Sequence, residues 1–159
     1  MTEELSRSAR RIQELLSTLG TDFEVLELPS STRTAAEAAN SIGCLVEQIA
    51  KSILFRTVTN KKPVMVVASG VNRVNEAVIA ALIGERVEKA DAAFVREKTG
   101  FSIGGVPPIG HTEPILTIID EDLVKLSELW AAAGTPNSVF KINAAALLEL
   151  TGGIVKAIK

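Results

Sequence analysis

Gln48-Ile49-Ala50-Lys51-Ser52-Ile53-Leu54-Phe55-Arg56-Thr57-Val58, the turn Asn60-Lys61-Lys62-Pro63, and then Val64-Met65-Val66-Val67-Ala68 decide how this chain folds. Two runs rich in β-branched and apolar residues flank a polar turn that ends in proline, a pattern that reads as strand, turn, strand. The pair is expected at the centre of a sheet. Before it, Leu5, Ala9, Ile12, Leu15, Leu16 and Leu19 recur at three- and four-residue steps and stop at Gly20, which predicts an amphipathic helix. Phe23–Leu28 alternates apolar with acidic residues and reads as a half-buried strand. Thr34-Ala35-Ala36-Glu37 has the form of a capping box, in which Thr34 caps the backbone and Glu37 reaches back, opening a helix that Gly43 closes.

Beyond the central pair the same reading predicts a helix over about Asn75–Ile83 and a short helix capped by Asp91 and ending at Thr99-Gly100. A strand over Ile115–Ile119 follows, then a helix over Asp122–Ala133 carrying Leu126, Leu129 and Trp130 on one side. Val139–Ile142 is a strand, Asn143 caps a helix over Ala144–Leu150, and Ile154–Ile158 closes the chain. Helices and strands alternate over short connections with no repeat, which predicts a single α/β domain. Several strand-to-strand steps lack a crossover helix, so the sheet is expected to be mixed.

Composition bounds what such a domain can do. The chain has 159 residues, of which 47% are hydrophobic, enough for one buried core and too few for two ordinary domains. The net charge of −2 offers no global attraction to phosphate, so contact with nucleic acid has to come from a local basic patch. Candidates are Arg7, Arg10 and Arg11 on the first helix and Arg56, Lys61 and Lys62 around the central turn, though each also suits a solvated face. The one cysteine, Cys44, suits a reducing compartment and a packing role. Charges run through Met1–Arg11, unlike a secretory signal, and no apolar stretch approaches membrane-helix length. A cytoplasmic protein without a membrane partner is expected.

Two features point to chemistry. In Gly100-Phe101-Ser102-Ile103-Gly104-Gly105-Val106-Pro107-Pro108-Ile109-Gly110-His111, four glycines and two prolines fall close together, and the only histidine ends the run. Glycine lets a ligand approach main-chain N–H groups, and proline freezes the path, so the segment reads as a rigid ligand wall or as a tight turn into the next strand. The other feature is Lys51, a cation among apolar neighbours, where a lysine is rare unless it is paired, snorkels to water or lines a cavity. Much else is excluded. One histidine and one cysteine argue against a metal site, and no cofactor is expected. GxSxG and GxxxxGK[ST] are absent, and the absence of tyrosine argues against a base-stacking platform and against DNA as a partner.

With Thr34-Ala35-Ala36-Glu37-Ala38-Ala39, Gln48 to Phe55, the Gly100–His111 run and Leu150-Thr151-Gly152-Gly153 in this order and spacing, the chain resembles the YbaK family. These are free-standing relatives of the editing domain inserted in bacterial prolyl-tRNA synthetase. The resemblance implies that residues 1–159 form a single editing domain, with a mixed, barrel-like β-sheet surrounded by helices. It also implies hydrolysis of a wrong amino acid from the 3′ end of aminoacyl-tRNA. The expected tRNA is that for proline, and prolyl-tRNA synthetase is the partner the likeness brings with it. Lys51 matches the family's functional lysine, and Gly104, Gly105 and Pro108 match its glycine-proline loop. Gly134-Thr135-Pro136-Asn137-Ser138 occupies the place of a later loop that lines the amino-acid pocket; the histidine some relatives carry there is missing.

On this reading Lys51, Gly104 and Gly105 are the catalytic candidates. Lys51 would bind the terminal phosphate, ribose or carbonyl, and the N–H groups of Gly104 and Gly105 would stabilise the oxyanion. Ser52, Val106, Pro107, Pro108, His111, Gly134, Asn137 and Ser138 are the substrate-binding candidates. Val106, Pro107 and Ile109 would exclude large side chains, and Asn137 and Ser138 would meet a hydroxyl. No side chain stands out as a general base, which leaves the 2′- or 3′-hydroxyl of the terminal adenosine to position or activate water. A non-catalytic aminoacyl- or nucleotide-binding protein of the same shape, and an oligomerising domain whose Gly/Pro loop is purely structural, remain open alternatives.

Overall fold

A sheet built around the central hairpin organises the computed structural model, which describes residues 5–159. The charged residues Met1–Glu4, part of the stretch read as unlike a secretory signal, lie outside the described residues. In chain order the elements are α1 (Arg7–Thr18), β1 (Val25–Glu27), α2 (Ala35–Ile42), β2 (Ile49–Thr57), β3 (Pro63–Ser69), α3 (Glu76–Ile83) and β4 (Val87–Lys89). They continue with α4 (Ala92–Thr99), β5 (Leu116–Asp120), β6 (Leu129–Ala132), β7 (Ser138–Ile142), α5 (Ala144–Thr151) and β8 (Ile154–Lys156). The eight strands run in the order β1-β7-β6-β2-β3-β5-β8, with β4 also pairing β2. The sheet is mixed: β2 is antiparallel to β3 and β4 and parallel to β6, while β3–β5 and β5–β8 are parallel.

The central hairpin is fixed by alternation. Ala50 and Leu54 join the largest apolar cluster with Ile12, Leu16, Phe101, Phe140 and Leu147. Ile53 and Phe55 turn the other way, to Val64, Val66, Ile79 and Ile158. A one-residue slip would exchange the two sets, so burial on both faces holds the register. Side-chain caps start the helices: Asn75, Asp91 and Asn143 each accept from a backbone N–H of the first turn. Thr34 does the same for Glu37 at 3.1 Å. The reciprocal half of the expected capping box is not made, because the Glu37 carboxylate accepts instead from Ser31 Oγ at 3.3 Å.

Asp122–Ala133 is not a helix. One 3₁₀ turn over Leu123–Lys125 is followed by β6, in which Leu129 and Ala131 are buried and Trp130 and Ala132 are less so. Leu129-Trp130-Ala131-Ala132 has good helix formers, but it fills the slot between β2 and β7, where both of its edges find ladder partners. Tertiary pairing overrides a local preference worth only tenths of a kcal/mol per residue, about 0.5 at most here. β4, only three residues long, is an element the sequence pattern does not announce. Phe23–Leu28 contracts to the three residues of β1.

Candidate functional site

The site lies where the sheet is incomplete. β2 pairs with β3 continuously from Ala50 to Arg56. Its opposite edge is covered only at the ends, by β6 at Ile49–Ala50 and by β4 at Phe55–Thr57. Between them a cavity of about 370 Å³ opens, lined by the consecutive residues Ala50 to Leu54. Neighbours on a strand point to opposite faces, so five in a row can line one cavity only if it opens onto the strand's edge.

The cavity has an apolar interior and a cationic mouth. Ile42, Ile49, Leu54, Val106, Trp130 and Val139 are among its walls, and Arg33, Lys51 and Lys89 are the only charged residues that line it among the described residues. All three are exposed, and none is ion-paired to a described residue. In a chain of net charge −2, a mouth with three cations and no carboxylate among the described residues is a local reversal of sign, suited to an anionic ligand whose other end is apolar. Lys51 is therefore not buried among the apolar neighbours that make it conspicuous in the sequence. Its ammonium stands at the opening while the strand beneath it is core.

The Gly/Pro loop forms the facing wall, and it is anchored on both sides of its tip. Phe101 is buried, with Arg11 stacked 4.9 Å from its ring centroid. Thr99 Oγ1 accepts from Phe101 N at 3.0 Å, and Arg96 donates to Ser102 Oγ at 3.0 Å. Val106 and Ile109 are buried, and Arg11 donates to Gly110 O at 3.1 Å. Ile103 and Gly104 are thereby held at the cavity. Gly104 has φ +97°, a conformation that favours glycine, and the Arg33 stem lies close against it. Its N–H donates to no described residue.

Gly105 plays a different part from the one expected. Its N–H is spent on Ser102 O at 3.1 Å and its carbonyl accepts from Gly134 N at 2.9 Å, so it offers no oxyanion donor. A Cβ there would sit 2.6 Å from the carbonyl carbon of Thr135. Gly105 is glycine because two loops meet backbone to backbone. Pro107, Pro108, His111, Gly134, Asn137 and Ser138 likewise stay out of the cavity lining. Pro107 and Pro108 are buried. His111 Nε2 lies 2.7 Å from Pro107 O, and burial pushes the imidazole's pKa below its ordinary value. At neutral pH His111 is an uncharged brace donating to Pro107 O. Asn137 Nδ2 donates to Leu28 O at 2.9 Å, and Ser138, fully buried, shares a hydrogen bond with Thr135 Oγ1. The loop from Gly134 to Ser138 thus supports the Gly/Pro loop from behind.

Of the expected site residues, Lys51, Ser52, Gly104 and Val106 come together at the cavity. Ser52 Oγ is shut off from solvent and has no hydrogen-bond partner among the described residues. Of the basic residues expected to form a patch, four are otherwise engaged: Arg56 donates to Glu88 at 2.7 Å, Lys61 reaches the same carboxylate at 3.3 Å, Arg10 donates to Leu5 O and Arg11 to Gly110 O. Arg33 and Lys89, which do reach the mouth, were not legible as a pair. Arg33 sits one residue before the Thr34 cap, a position that faces outward from the start of α2, and this is the one local signal for it. Lys89 ends a strand that the sequence does not declare. Trp130, the sole tryptophan, becomes a cavity wall only because β6 is a strand.

The profile of the aminoacyl-tRNA editing domain matches residues 29–150. A crystal structure of a proposed trans-editing enzyme for prolyl tRNA synthetase superposes with a TM-score of 0.92 at 45% identity, covering 98% of this chain and 99% of that one. The uncharacterised protein YwhH of Bacillus subtilis is 28% identical over 128 residues, 80% of this chain and 81% of its own length. A proline–tRNA ligase of Limosilactobacillus fermentum is 34% identical over 94 residues, 57% of this chain but only 16% of that enzyme. No helix among the described residues is long and apolar enough to cross a membrane.

Proposed function

The chain belongs to the aminoacyl-tRNA editing domain family, and from that premise we propose that it is a trans-acting deacylase that removes a small, uncharged, wrongly attached amino acid from tRNA for proline. The observation that carries this reading is the mouth of Arg33, Lys51 and Lys89 over an apolar interior without a carboxylate. The 3′ end of a charged tRNA presents the complementary pattern: phosphates outside, then a ribose, then an ester and a short side chain. The matched proline–tRNA ligase and the structurally similar trans-editing protein support proline as the tRNA's identity.

In the reaction, water adds to the ester carbonyl carbon, the carbonyl oxygen takes the negative charge, and the bond to the ribose oxygen then breaks. The ribose oxygen leaves with the proton that the water gives up, and the free amino acid and tRNA separate. Lys51 holds the terminal phosphate or ribose and orients the ester. The unspent N–H of Gly104 donates to the developing oxyanion, an interaction worth about 3 kcal/mol in sites of this type. The lining includes no histidine, aspartate or glutamate among the described residues, so the proton moves through the adjacent ribose hydroxyl of the substrate and not through a side chain. Val106 and its apolar neighbours admit a small side chain and leave a charged one desolvated and unpaired. Prolyl-tRNA synthetase fits as a partner that delivers the substrate.

Deacylation rates on tRNA for proline charged with alanine, cysteine, serine, threonine and proline test the proposal. Alanine or another small residue is expected to be released fastest and proline spared. Preference for prolyl-tRNA, or for a large or charged residue, would overturn it. Saturable binding without release would favour the non-catalytic reading.

A further inference from the structure

The two edges of β2 are not equivalent, and the ladder shows which main-chain groups are left over. In an antiparallel pair, alternate residues turn their N–H and C=O toward the partner, and those between turn them away. Gly70 N donates to Ile49 O at 2.9 Å and Thr57 N to Lys62 O at 2.9 Å, so odd-numbered residues of β2 face β3. Pro63, which has no N–H, accordingly sits opposite the even-numbered Arg56. Even-numbered residues therefore present their groups to the other edge. There Arg56 meets β4, Leu54 O accepts from Ala90 N at 3.1 Å, and Ala50 meets β6. Ser52 meets no described residue: it falls in the gap, and both its N–H and its C=O face the cavity it lines.

A main-chain donor and acceptor on one residue, unpaired at the edge of a strand, form a template for one further residue of extended chain. An aminoacyl ester has one N-terminal amino group and one carbonyl on a single Cα, the same two groups a strand residue would supply. We infer that the open edge of β2 at Ser52 docks the aminoacyl group of the substrate as a one-residue strand. The Ser52 carbonyl oxygen accepts from the α-ammonium, and the Ser52 N–H donates to the ester carbonyl oxygen, adding a second oxyanion donor to that of Gly104. Recognition through these groups ignores the side chain, which is then sorted by the apolar walls alone. It also places the reacting carbonyl one residue along the strand from Lys51, whose side chain points to the opposite face of β2. The inference rests on the deacylase reading.

The test uses the wild-type protein and tRNA for proline esterified with alanine, lactate or propionate, in which the α-substituent is ammonium, hydroxyl or hydrogen. Each rate is divided by the spontaneous rate of the same ester, because the ammonium group itself activates the bond. Loss of one charge-assisted hydrogen bond should lower the enhancement about ten- to hundredfold from alanyl to propionyl, with lactyl between them. Equal enhancement of all three would overturn the inference and leave the deacylase reading intact. No enhancement even of the alanyl ester would instead defeat the deacylase reading and this inference with it. Ser52→Pro removes the N–H at a position where the sheet makes no use of it. In a protein shown to be folded by its thermal melt, it should slow the alanyl ester about tenfold or more. A folded Ser52→Pro protein at full rate would overturn the donor half of the inference. If that variant does not fold, the ester series alone decides.

Discussion

Gly105→Ala separates the architectural part of the Gly/Pro loop from its chemical part. A Cβ at residue 105 would lie 2.6, 2.8 and 2.9 Å from the carbonyl carbon, Cα and nitrogen of Thr135. Backbone cannot swing aside as a side chain tip can, so the 100–111 and 134–138 segments must part, straining the Gly134 N to Gly105 O hydrogen bond. Overpacking of this kind costs about 1–3 kcal/mol, which for a domain of this size lowers the melting temperature by roughly 3–10 °C. Gly104→Ala differs. Its Cβ would be 3.1 Å from the flexible Arg33 stem, and the cost is mainly the left-handed backbone, about 1 kcal/mol. Its methyl group would stand at the cavity beside the proposed oxyanion donor. Thermal melts and single-turnover deacylation on both variants are the assay. Gly105→Ala should lose stability, with a turnover per folded molecule close to wild type, and Gly104→Ala should lose turnover beyond its change in melting temperature. A Gly105→Ala protein of unchanged melting temperature and sharply reduced turnover would refute the close-approach reasoning.

Other outcomes follow from the mouth and from the half-buried imidazole of His111. Binding of a short CCA-ended oligonucleotide, read by Trp130 fluorescence, should be weak and salt-sensitive. With three rim cations the slope of log affinity against log salt should be about −2, becoming shallower by about 0.7 in either Arg33→Ala or Lys89→Ala. His111 has a pKa lowered by burial, so the unfolded chain takes up a proton that the folded one refuses. Its contribution to stability is present above the ordinary value of 6.5 and is lost as pH falls below it. His111→Gln should flatten the fall in melting temperature on acidification below that point while leaving the shape of the pH–rate profile unchanged. A rate profile that loses a titration step in His111→Gln would show the imidazole acting in catalysis.

How much of this was legible in the sequence differs by residue. The β2–β3 hairpin and the helices after Thr34, Asn75, Asp91 and Asn143 were readable because burial on two faces and polar caps leave local marks. Lys51 was readable because a charge interrupts an apolar alternation. The gap in the sheet was not, since it depends on where β4 and β6 stop along β2, and both strands are defined by their partners. The Leu129–Ala132 segment reads as helix in isolation, and with that reading Trp130 is lost as a cavity wall. Gly104 and Gly105 look alike in sequence, and what tells them apart is the approach of Thr135 to Gly105, the left-handed φ of Gly104 and the use of the Gly105 N–H within the loop.

Whether the cation-rimmed cavity hydrolyses a mischarged ester is read from single-turnover hydrolysis of alanyl-tRNA for proline by the wild-type protein and by Lys51→Ala. Lys51 is exposed and unpaired among the described residues, so its truncation should leave the melting temperature within about 2 °C. The expected result is rapid release of alanine by the wild-type protein and a loss of about a hundredfold or more in the variant, as befits the removal of a charge-assisted contact that orients the ester for attack. Release by Lys51→Ala within about twofold of wild type, a difference below 0.5 kcal/mol, would contradict the account.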